Sequence, residues 1–195
     1  MCATRAATGE SILFRSYKTT SASEADYVCE IWEAARATSA APLFFTPFHL
    51  EKHRLTVVDG ALQLNNPVQK VLNEASRIDN QRVLGCLVSI GTGVTDITPL
   101  GKQSVKLHQI ARTCVDISID CDNVHRKFIR SQAGRLLRES ERYFRFDVQR
   151  QLDSVKLADW TRLDDIQDYV DRYLSDDSVA ERVVQCARKL CQYSL

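Results

Sequence analysis

A continuous apolar run from Val83 to Ile90 (VLGCLVSI) restricts the folds open to this chain more than any other feature of its sequence. The run is far too short to cross a membrane, and it lacks the alternation of a strand with one wet face. Runs of this length are typical of strands that are covered on both faces, as in parallel sheets layered between helices. Gly91-Thr92-Gly93 ends the run. The sequence therefore predicts an α/β fold.

Three other segments have the composition of strands. Ser11–Lys18 and Thr56–Val58 are rich in residues that favour strands, and Tyr143–Val148 alternates as a short strand at a sheet edge would. The strand at Thr56–Val58 leads directly into Asp59, Gly60 and Ala61.

Helical spacing of apolar residues occupies much of the remaining sequence. One helix is expected to begin near a capping box at Ser23 and to end near Thr38, before Pro42. Another is expected after Asn66 as N-cap and Pro67 as first helical residue. Three further helices are predicted in the second half from apolar residues at helical spacing. The first contains Leu107, Ile110, Ala111, Cys114 and Val115; the second contains Ile166, Tyr169, Val170, Tyr173 and Leu174. The third follows Ser178 as its cap and contains Val179, Val183, Cys186, Ala187 and Leu190. Without an internal repeat or a linker, residues 1–195 are predicted to form a single α/β domain that is helix-rich toward its C-terminus.

Composition limits the classes of partner that the protein can bind and the cellular compartment in which it is expected. The 195 residues carry 26 basic and 25 acidic side chains, a formal net charge of +1, which argues against a dedicated nucleic-acid binder. Seven cysteines without CxxC spacing indicate reduced, mostly buried thiols, and hence a cytoplasmic location. No apolar stretch is long enough to span a membrane, and Met1–Gly9 lacks the character of a signal peptide.

Charge is unevenly distributed along the second half. Residues 126–150 contain eight basic and three acidic side chains, whereas residues 153–181 contain nine acidic and three basic ones. The basic block could bind an anionic partner such as a phospholipid headgroup. Alternatively, the two segments are solvated or pack beside each other, which is the more common situation for charged runs.

Asp59 is the best candidate for a catalytic residue. It follows an apolar strand, and open α/β sheets place their sites at the carboxyl ends of strands. Gly60 allows a tight turn and a close backbone approach. A carboxylate at this position could orient or deprotonate a nucleophile. The alternative is an Asp-Gly turn with a solvated side chain.

The other candidate sites are less specific. The sequence contains no G-x-S-x-G, and Gly91-Thr92-Gly93 has too few glycines for a phosphate cradle, so that an ordinary turn is favoured. His49 and His53 could join Ser39 or Ser89 in a triad, although proximity in sequence is poor evidence for one.

Neither a metal site nor a lipid cleft is established by spacing. Cys114, Cys121 and His125 lack a known zinc spacing, so core thiols are favoured and no metal or cofactor is expected. An aromatic cluster near Pro42 and Pro47 could wall a lipid-accepting cleft, although a packed core or a loop staple is more common; its members are Trp32, Phe44, Phe45 and Phe48.

At these same residues the chain resembles the patatin-like phospholipase family, particularly its fungal members. Glu33–Phe45 is similar to the helix and apolar turn before that family's catalytic aspartate, and Val58–Asn73 is similar to its Asp-Gly-Ala/Gly block and following helix. Val88–Gly93 resembles the family's next strand and turn, and Tyr143–Val148 with Asp153–Leu163 resembles its C-terminal portion. The resemblance spans almost the whole chain, from about Cys2 to Cys191.

The resemblance implies a three-layer α/β/α fold and a Ser-Asp dyad that hydrolyses acyl esters of lipids or phospholipids, with peripheral membrane contact and without a cofactor. Carried onto this sequence, it assigns the catalytic aspartate to Asp59 and the motif to Asp59, Gly60 and Ala61. In the family, the oxyanion glycines and the nucleophilic serine precede the segment that resembles Cys2–Tyr17. We therefore expect a partial domain, incomplete at its N-terminus, whose nucleophile is supplied by a missing N-terminal segment or a separate chain. The alternative is a non-catalytic, degenerate module that binds lipid or a protein partner.

Overall fold

The computed structural model shows helices and strands in two compact units, as an α/β chain should. Met1–Pro67 makes up most of the first unit, and the second contains Val68–Ala75 together with the elements after residue 79. The assignment of residues 1–195 to one partial domain stays a prediction. The structure describes residues 1–18, 27–42, 44–79, 81–93, 121–148, 152, 155 and 159–192.

The first unit is built on a four-stranded antiparallel sheet in the order β2-β1-β4-β3. The β1–β2 hairpin turns through Gly9, whose φ of 72° lies in the left-handed region that glycine adopts without strain. The predicted strands at Ser11–Lys18 and Thr56–Val58 are confirmed, the first of them shorter than expected. The strands are β1 (Cys2–Arg5), β2 (Ser11–Leu13), β3 (Phe48–Leu50) and β4 (Leu55–Asp59).

Helix α1 (Ile31–Thr38) packs on the two central strands through small side chains. Ala34 and Ala37 are buried in one cluster with Ala3 and Val57, which lets the helix backbone approach the sheet closely. The helix ends at Thr38, as predicted. Its capping box is formed by Glu30 and Glu33. The predicted cap at Ser23 lies outside the described residues, but residues 27–30 are not helical, so the predicted start of this helix is wrong.

Two helices follow β4. The short α2 (Ala61–Leu64) starts directly after Gly60, and α3 (Val68–Ile78) starts directly after Pro67, one residue later than predicted. The buried side chain of Asn66 donates from Nδ2 to the carbonyl oxygen of Cys121 at 3.2 Å.

The second unit contains a parallel strand pair, β5 (Leu87–Ile90) with β6 (Tyr143–Phe146). Its core combines Val68, Leu87, Phe128 and Tyr143. The remaining helices of this unit are α4 (helical residues 121–130), α5 (Gln132–Glu139), α6 (Leu163–Leu174) and α7 (Asp177–Gln192). None of the helices in the described part of the chain is long and apolar enough to cross a bilayer.

The apolar run from Val83 to Ile90 predicted a strand that is buried on both faces, and the structure differs from this prediction. Only its second half forms a strand, and Ile90 is 79% exposed. Val83 at its start is also exposed. The prediction of parallel pairing is confirmed, but burial on both faces is wrong, because Val88 and Ile90 are exposed while Leu87 is buried.

The last helix begins with a different cap from the one predicted. Asp176 Oδ1 accepts hydrogen bonds from the backbone N–H groups of Ser178 and Val179 at 3.0 and 3.2 Å, so Asp176 is the cap and Ser178 is inside the helix. The Ser178 hydroxyl, followed by these N–H groups, lowers the pKa of Asp176. The helix predicted from Leu107 to Val115 lies outside the described residues, whereas the stripe from Ile166 to Leu174 is confirmed as α6.

Replacing Leu50 by alanine tests the core under the first sheet. Leu50 is almost fully buried, so Leu50→Ala should lower the free energy of unfolding by about 2–5 kcal/mol. Urea denaturation followed by circular dichroism measures the change. Leu136→Ala removes the same side chain at an exposed position and should change stability far less. Equal losses in both variants would contradict this account of the core.

Candidate functional site

The backbone of Asp59 is held on both sides. Asp59 is the last residue of β4, an inner strand, and lies opposite Ala3 of β1. Its N–H donates to the carbonyl oxygen of Ala40 at 3.0 Å, and its carbonyl oxygen accepts from the Thr4 hydroxyl at 2.9 Å. The position of this carboxylate is therefore set by β1 and by the loop after α1.

Only one of the two carboxylate oxygens of Asp59 accepts a hydrogen bond from the described residues. Oδ1 accepts the N–H of Ala61 at 2.6 Å, a short charge-assisted bond that fixes the carboxylate at the start of α2. Among the described residues, no group donates to Oδ2. The side chain is half-buried. An Asp-Gly turn is thus present, and within the described residues only one oxygen of its carboxylate is hydrogen-bonded.

Gly60 is required by space and not by its dihedral angles. Its φ of −64° and ψ of −27° suit any residue, so the backbone conformation alone does not require glycine here. A Cβ at this position would lie 2.5 Å from the carbonyl oxygen of Cys2, an overlap with rigid backbone. Glycine therefore permits the close approach of β1 to the end of β4.

The structure does not support the histidine triad. His49 Nδ1 lies 3.0 Å from the Thr56 hydroxyl, and His53 Nε2 lies 2.9 Å from the carbonyl oxygen of Val28. The Ser39 hydroxyl donates to its own helix, at the carbonyl oxygen of Ala35. No hydrogen bond in the described residues joins a histidine to a serine, so this hypothesis is wrong for Ser39.

Three of the predicted aromatic residues form a connected, partly exposed cluster. Trp32 meets Phe48 edge to face with ring centroids 5.9 Å apart. The Arg36 guanidinium lies over the rings of Phe45 and Phe48, at 5.3 and 5.8 Å from their centroids. Trp32 is 63% exposed and Phe45 is 56% exposed. The interpretation as packed core is therefore wrong for Trp32 and Phe45, whereas Phe48 is partly buried and packs against the core of the first unit. We call Trp32, Arg36, Phe45 and Phe48 the aromatic cluster.

The glycine turn after β5 binds a carboxylate that belongs to the protein itself. Gly93 N–H donates to Oδ1 of the buried Asp147 at 2.8 Å, and a Cβ on Gly91 would overlap that carboxylate. Arg145 pairs with Oδ2 of Asp147 and donates to the Ser89 hydroxyl at 2.8 Å. An anion thus already occupies this turn, which agrees with the preference for an ordinary turn over a phosphate cradle. Ser89 is engaged with Arg145 and is not a free nucleophile.

The predicted thiol and histidine ligands have other partners. His125 Nδ1 lies 2.9 Å from the Tyr143 hydroxyl, and burial, followed by the charge of Arg145, lowers its pKa. Cys114 lies outside the described residues. In the described ranges, no three side chains of the types that bind metals are grouped closely enough to hold an ion. Among the cysteines of those ranges only Cys186 is buried, so the expectation of mostly buried thiols is wrong.

The basic block does not form a single free surface. Arg145 is buried and paired with Asp147, and Arg126 pairs with Asp122 one turn earlier in α4. At least two of its eight positive charges are therefore neutralised within the second unit. Sequence inspection missed both pairs because their partners are recognisable only once the strand ends and helix faces are known.

Comparisons with known proteins agree on one family. Residues 2–72 match the family described as Patatin-like phospholipase, a range that contains Asp59, Gly60 and Ala61. The chain is 32% identical over 123 residues to the calcium-independent phospholipase A2-gamma of Oryctolagus cuniculus, covering 57% of this chain and 15% of that protein. It is 29% identical over 184 residues to patatin-like phospholipase 1 of Plasmodium falciparum, covering 82% of this chain and 26% of that protein. Phospholipase A I of Arabidopsis thaliana is 39% identical over 64 residues, or 33% of this chain and 5% of that protein.

The matched part of the chain is thus at most about a quarter of the length of these relatives. No solved structure matches the chain. The resemblance inferred from the sequence is confirmed as one to patatin-like phospholipases.

Gly60→Ala tests the close approach that positions Asp59. Because the added Cβ would meet the Cys2 carbonyl, we expect a loss of about 1–3 kcal/mol in the free energy of unfolding. Gly9→Asn is the matched control: nothing lies within 4 Å of a Cβ there, and asparagine tolerates a positive φ. Chemical denaturation of both variants gives the comparison. A Gly60→Ala protein as stable as Gly9→Asn would show that β1 does not constrain this turn.

Proposed function

We propose that this chain, whose residues 2–72 match the patatin-like phospholipase family, contributes Asp59 to a Ser-Asp dyad that hydrolyses acyl esters of lipids. The observation that supports the assignment is the hydrogen bonding of the Asp59 carboxylate. Oδ1 is fixed by Ala61 N–H, while Oδ2 accepts no hydrogen bond from the described residues. A carboxylate that is oriented through one oxygen and open at the other suits a base that must meet a hydroxyl in a defined direction.

In the proposed reaction, a serine hydroxyl attacks the ester carbonyl carbon as Asp59 Oδ2 accepts its proton. The tetrahedral oxyanion is stabilised by backbone N–H groups, which are worth about 2.7–4 kcal/mol per donor in comparable enzymes. Asp59 then returns the proton to the leaving alkoxide, and the lipid alcohol departs. Water, deprotonated by the same carboxylate, attacks the acyl-serine; Asp59 returns this proton to the departing serine oxygen, and the fatty acid is released. No histidine takes part, in keeping with the separate hydrogen bonds of His49 and His53.

The serine of this dyad is assigned to a segment outside the 195 residues. These residues contain no G-x-S-x-G, and they align with at most about a quarter of each relative. The proposal places the serine and the oxyanion glycines either on a preceding segment of a longer polypeptide or on a separate chain. It follows that the 195 residues alone should hydrolyse neither short-chain esters nor phospholipids.

Asp59→Asn tests the role of Asp59 as a base while leaving the fold intact. The asparagine side-chain oxygen can still accept from Ala61 N–H, but it cannot take a proton, so kcat should fall by roughly 10²–10⁴ in a preparation that includes the serine-bearing segment. Release of fatty acid from phospholipid measures the activity, and circular dichroism reports the fold.

Asp79→Asn is the matched control, because Asp79 Oδ1 makes the same type of turn with the N–H of Gln81 at 2.9 Å. This variant should keep full activity. Unchanged kcat in Asp59→Asn would refute the dyad. Turnover by the 195 residues alone, abolished by Asp59→Ala, would instead reveal a different nucleophile.

A second candidate function, phospholipid binding without catalysis, is favoured by the aromatic cluster. Aromatic rings beside an arginine suit the boundary between headgroups and acyl chains, since the rings bury apolar area while the guanidinium stays near phosphate. The same contact would hold a hydrolase at its substrate. We place the protein in the cytoplasm, in peripheral contact with a membrane surface.

The two tryptophans of the chain allow a direct test of this contact. In a Trp160→Phe variant, Trp32 is the only indole, and its emission should shift to shorter wavelength with phosphatidylglycerol vesicles and less with phosphatidylcholine vesicles. In the matched Trp32→Phe variant, the exposed Trp160 should show no shift. Equal shifts in both variants, or none with Trp32 alone, would exclude the aromatic cluster as the contact; a protein partner would then be the remaining candidate.

A further inference from the structure

One buried hydroxyl group of β1 contacts the backbone of the candidate base. Thr4 is only 3% exposed, and its hydroxyl donates to the backbone carbonyl oxygen of Asp59 at 2.9 Å. In the sheet Thr4 pairs with Val58, so its hydroxyl reaches the residue that follows its pairing partner. A hydroxyl group has a single proton to donate, and in Thr4 that proton is used to hold Asp59.

The peptide unit between Asp59 and Gly60 is held at both of its polar ends. Its carbonyl oxygen accepts from Thr4, and its N–H group, which belongs to Gly60, donates to the carbonyl oxygen of Thr38 at 3.3 Å. Thr38 is the last residue of α1, where carbonyl groups have no partner within the helix. Because a peptide unit is planar, hydrogen bonds at its two ends fix the rotation of the whole unit.

The rotation of this peptide unit determines how the Asp59 carboxylate is held. It sets ψ of Asp59 and φ of Gly60, and these angles place the Ala61 N–H group relative to the Asp59 side chain. Ala61 N–H is the group that donates to Oδ1 at 2.6 Å. Without the Thr4 hydroxyl, the carbonyl end of the unit loses this donor, and the unit can rotate about its hydrogen bond to Thr38.

We propose that Thr4 is a positioning residue for the Asp59 carboxylate, and that it acts through the Asp59–Gly60 peptide unit and the Ala61 N–H group. The consequence for ester hydrolysis rests on the function proposed above. A displacement of about 1 Å in a reacting group can lower a rate by about a hundredfold. Loss of the hydroxyl should therefore lower kcat by about 10–100-fold, while KM stays the same because the buried Thr4 side chain is not accessible to a substrate.

Thr4→Val tests the positioning in the 195-residue chain itself, because valine has nearly the same shape as threonine and lacks the hydroxyl. The chemical shift and hydrogen exchange of the Ala61 amide, measured by NMR, report its hydrogen bond to Oδ1. In Thr4→Val we expect this amide proton to move to higher field and to exchange about tenfold faster, the equivalent of one hydrogen bond. Thr4→Ser keeps a hydroxyl group and should restore both values.

Ser140→Ala is the matched control. It removes a hydroxyl that donates to the carbonyl oxygen of Leu136 at 2.7 Å in the second unit, and it should leave the Ala61 amide unchanged. Circular dichroism reports the fold of each variant. Should Thr4→Val fail to fold, Thr4→Ala compared with Thr4→Ser makes the same distinction.

Two NMR results would overturn the proposal: an Ala61 amide that is unchanged in Thr4→Val, or one that changes equally in Thr4→Val and Thr4→Ser. In a preparation that includes the serine-bearing segment, full kcat in Thr4→Val beside a strong loss in Asp59→Asn would overturn it as well. Full kcat in Asp59→Asn would instead refute the dyad, and the Ala61 amide would still decide whether Thr4 positions the carboxylate.

Discussion

The contact between the first and fourth strands is the constraint on which the candidate site depends. β1 lies so close to the end of β4 that only a residue without a Cβ fits at position 60, against the carbonyl oxygen of Cys2. The same pairing lets the Thr4 hydroxyl hold the Asp59 carbonyl. The backbone N–H and carbonyl groups of Asp59 are therefore both held by hydrogen bonds. A substitution of the carboxylate leaves these backbone hydrogen bonds in place.

The two carboxylates that follow strands differ in how they are used. Asp147 is buried and has both oxygens engaged, Oδ1 by Gly93 N–H and Oδ2 by Arg145. Asp59 is half-buried and has only Oδ1 engaged. A carboxylate whose oxygens are all occupied within the protein holds a turn in place, whereas one with an open oxygen can exchange a proton. The contrast explains why Asp59, and not Asp147, is the candidate base.

Sequence patterns predicted the local elements and singled out Asp59 as the candidate catalytic residue, which stays a prediction, but they did not predict the surroundings of Asp59. The apolar stretch ahead of Asp59 identified β4, and helical spacing identified α1 and α6. The need for glycine at position 60 depends on a strand about 56 residues away, and the occupant of the turn after β5 lies 54 residues from Gly93. Contacts of this range leave no periodicity in the sequence. The sequence did not predict that the aromatic cluster is exposed, because hydrophobic composition alone does not distinguish a core from a surface.

The pairing of β1 with β4 also orders the events of folding. β1 and β2 form a local hairpin, but β1 meets β4 only after a loop of more than fifty residues has closed. During synthesis, one side of the β1–β2 hairpin therefore stays open until β4 has left the ribosome. An open strand edge can bind the edge of another chain. Newly made protein therefore has an unpaired edge of β1 until the strand that ends at Asp59 has joined the sheet.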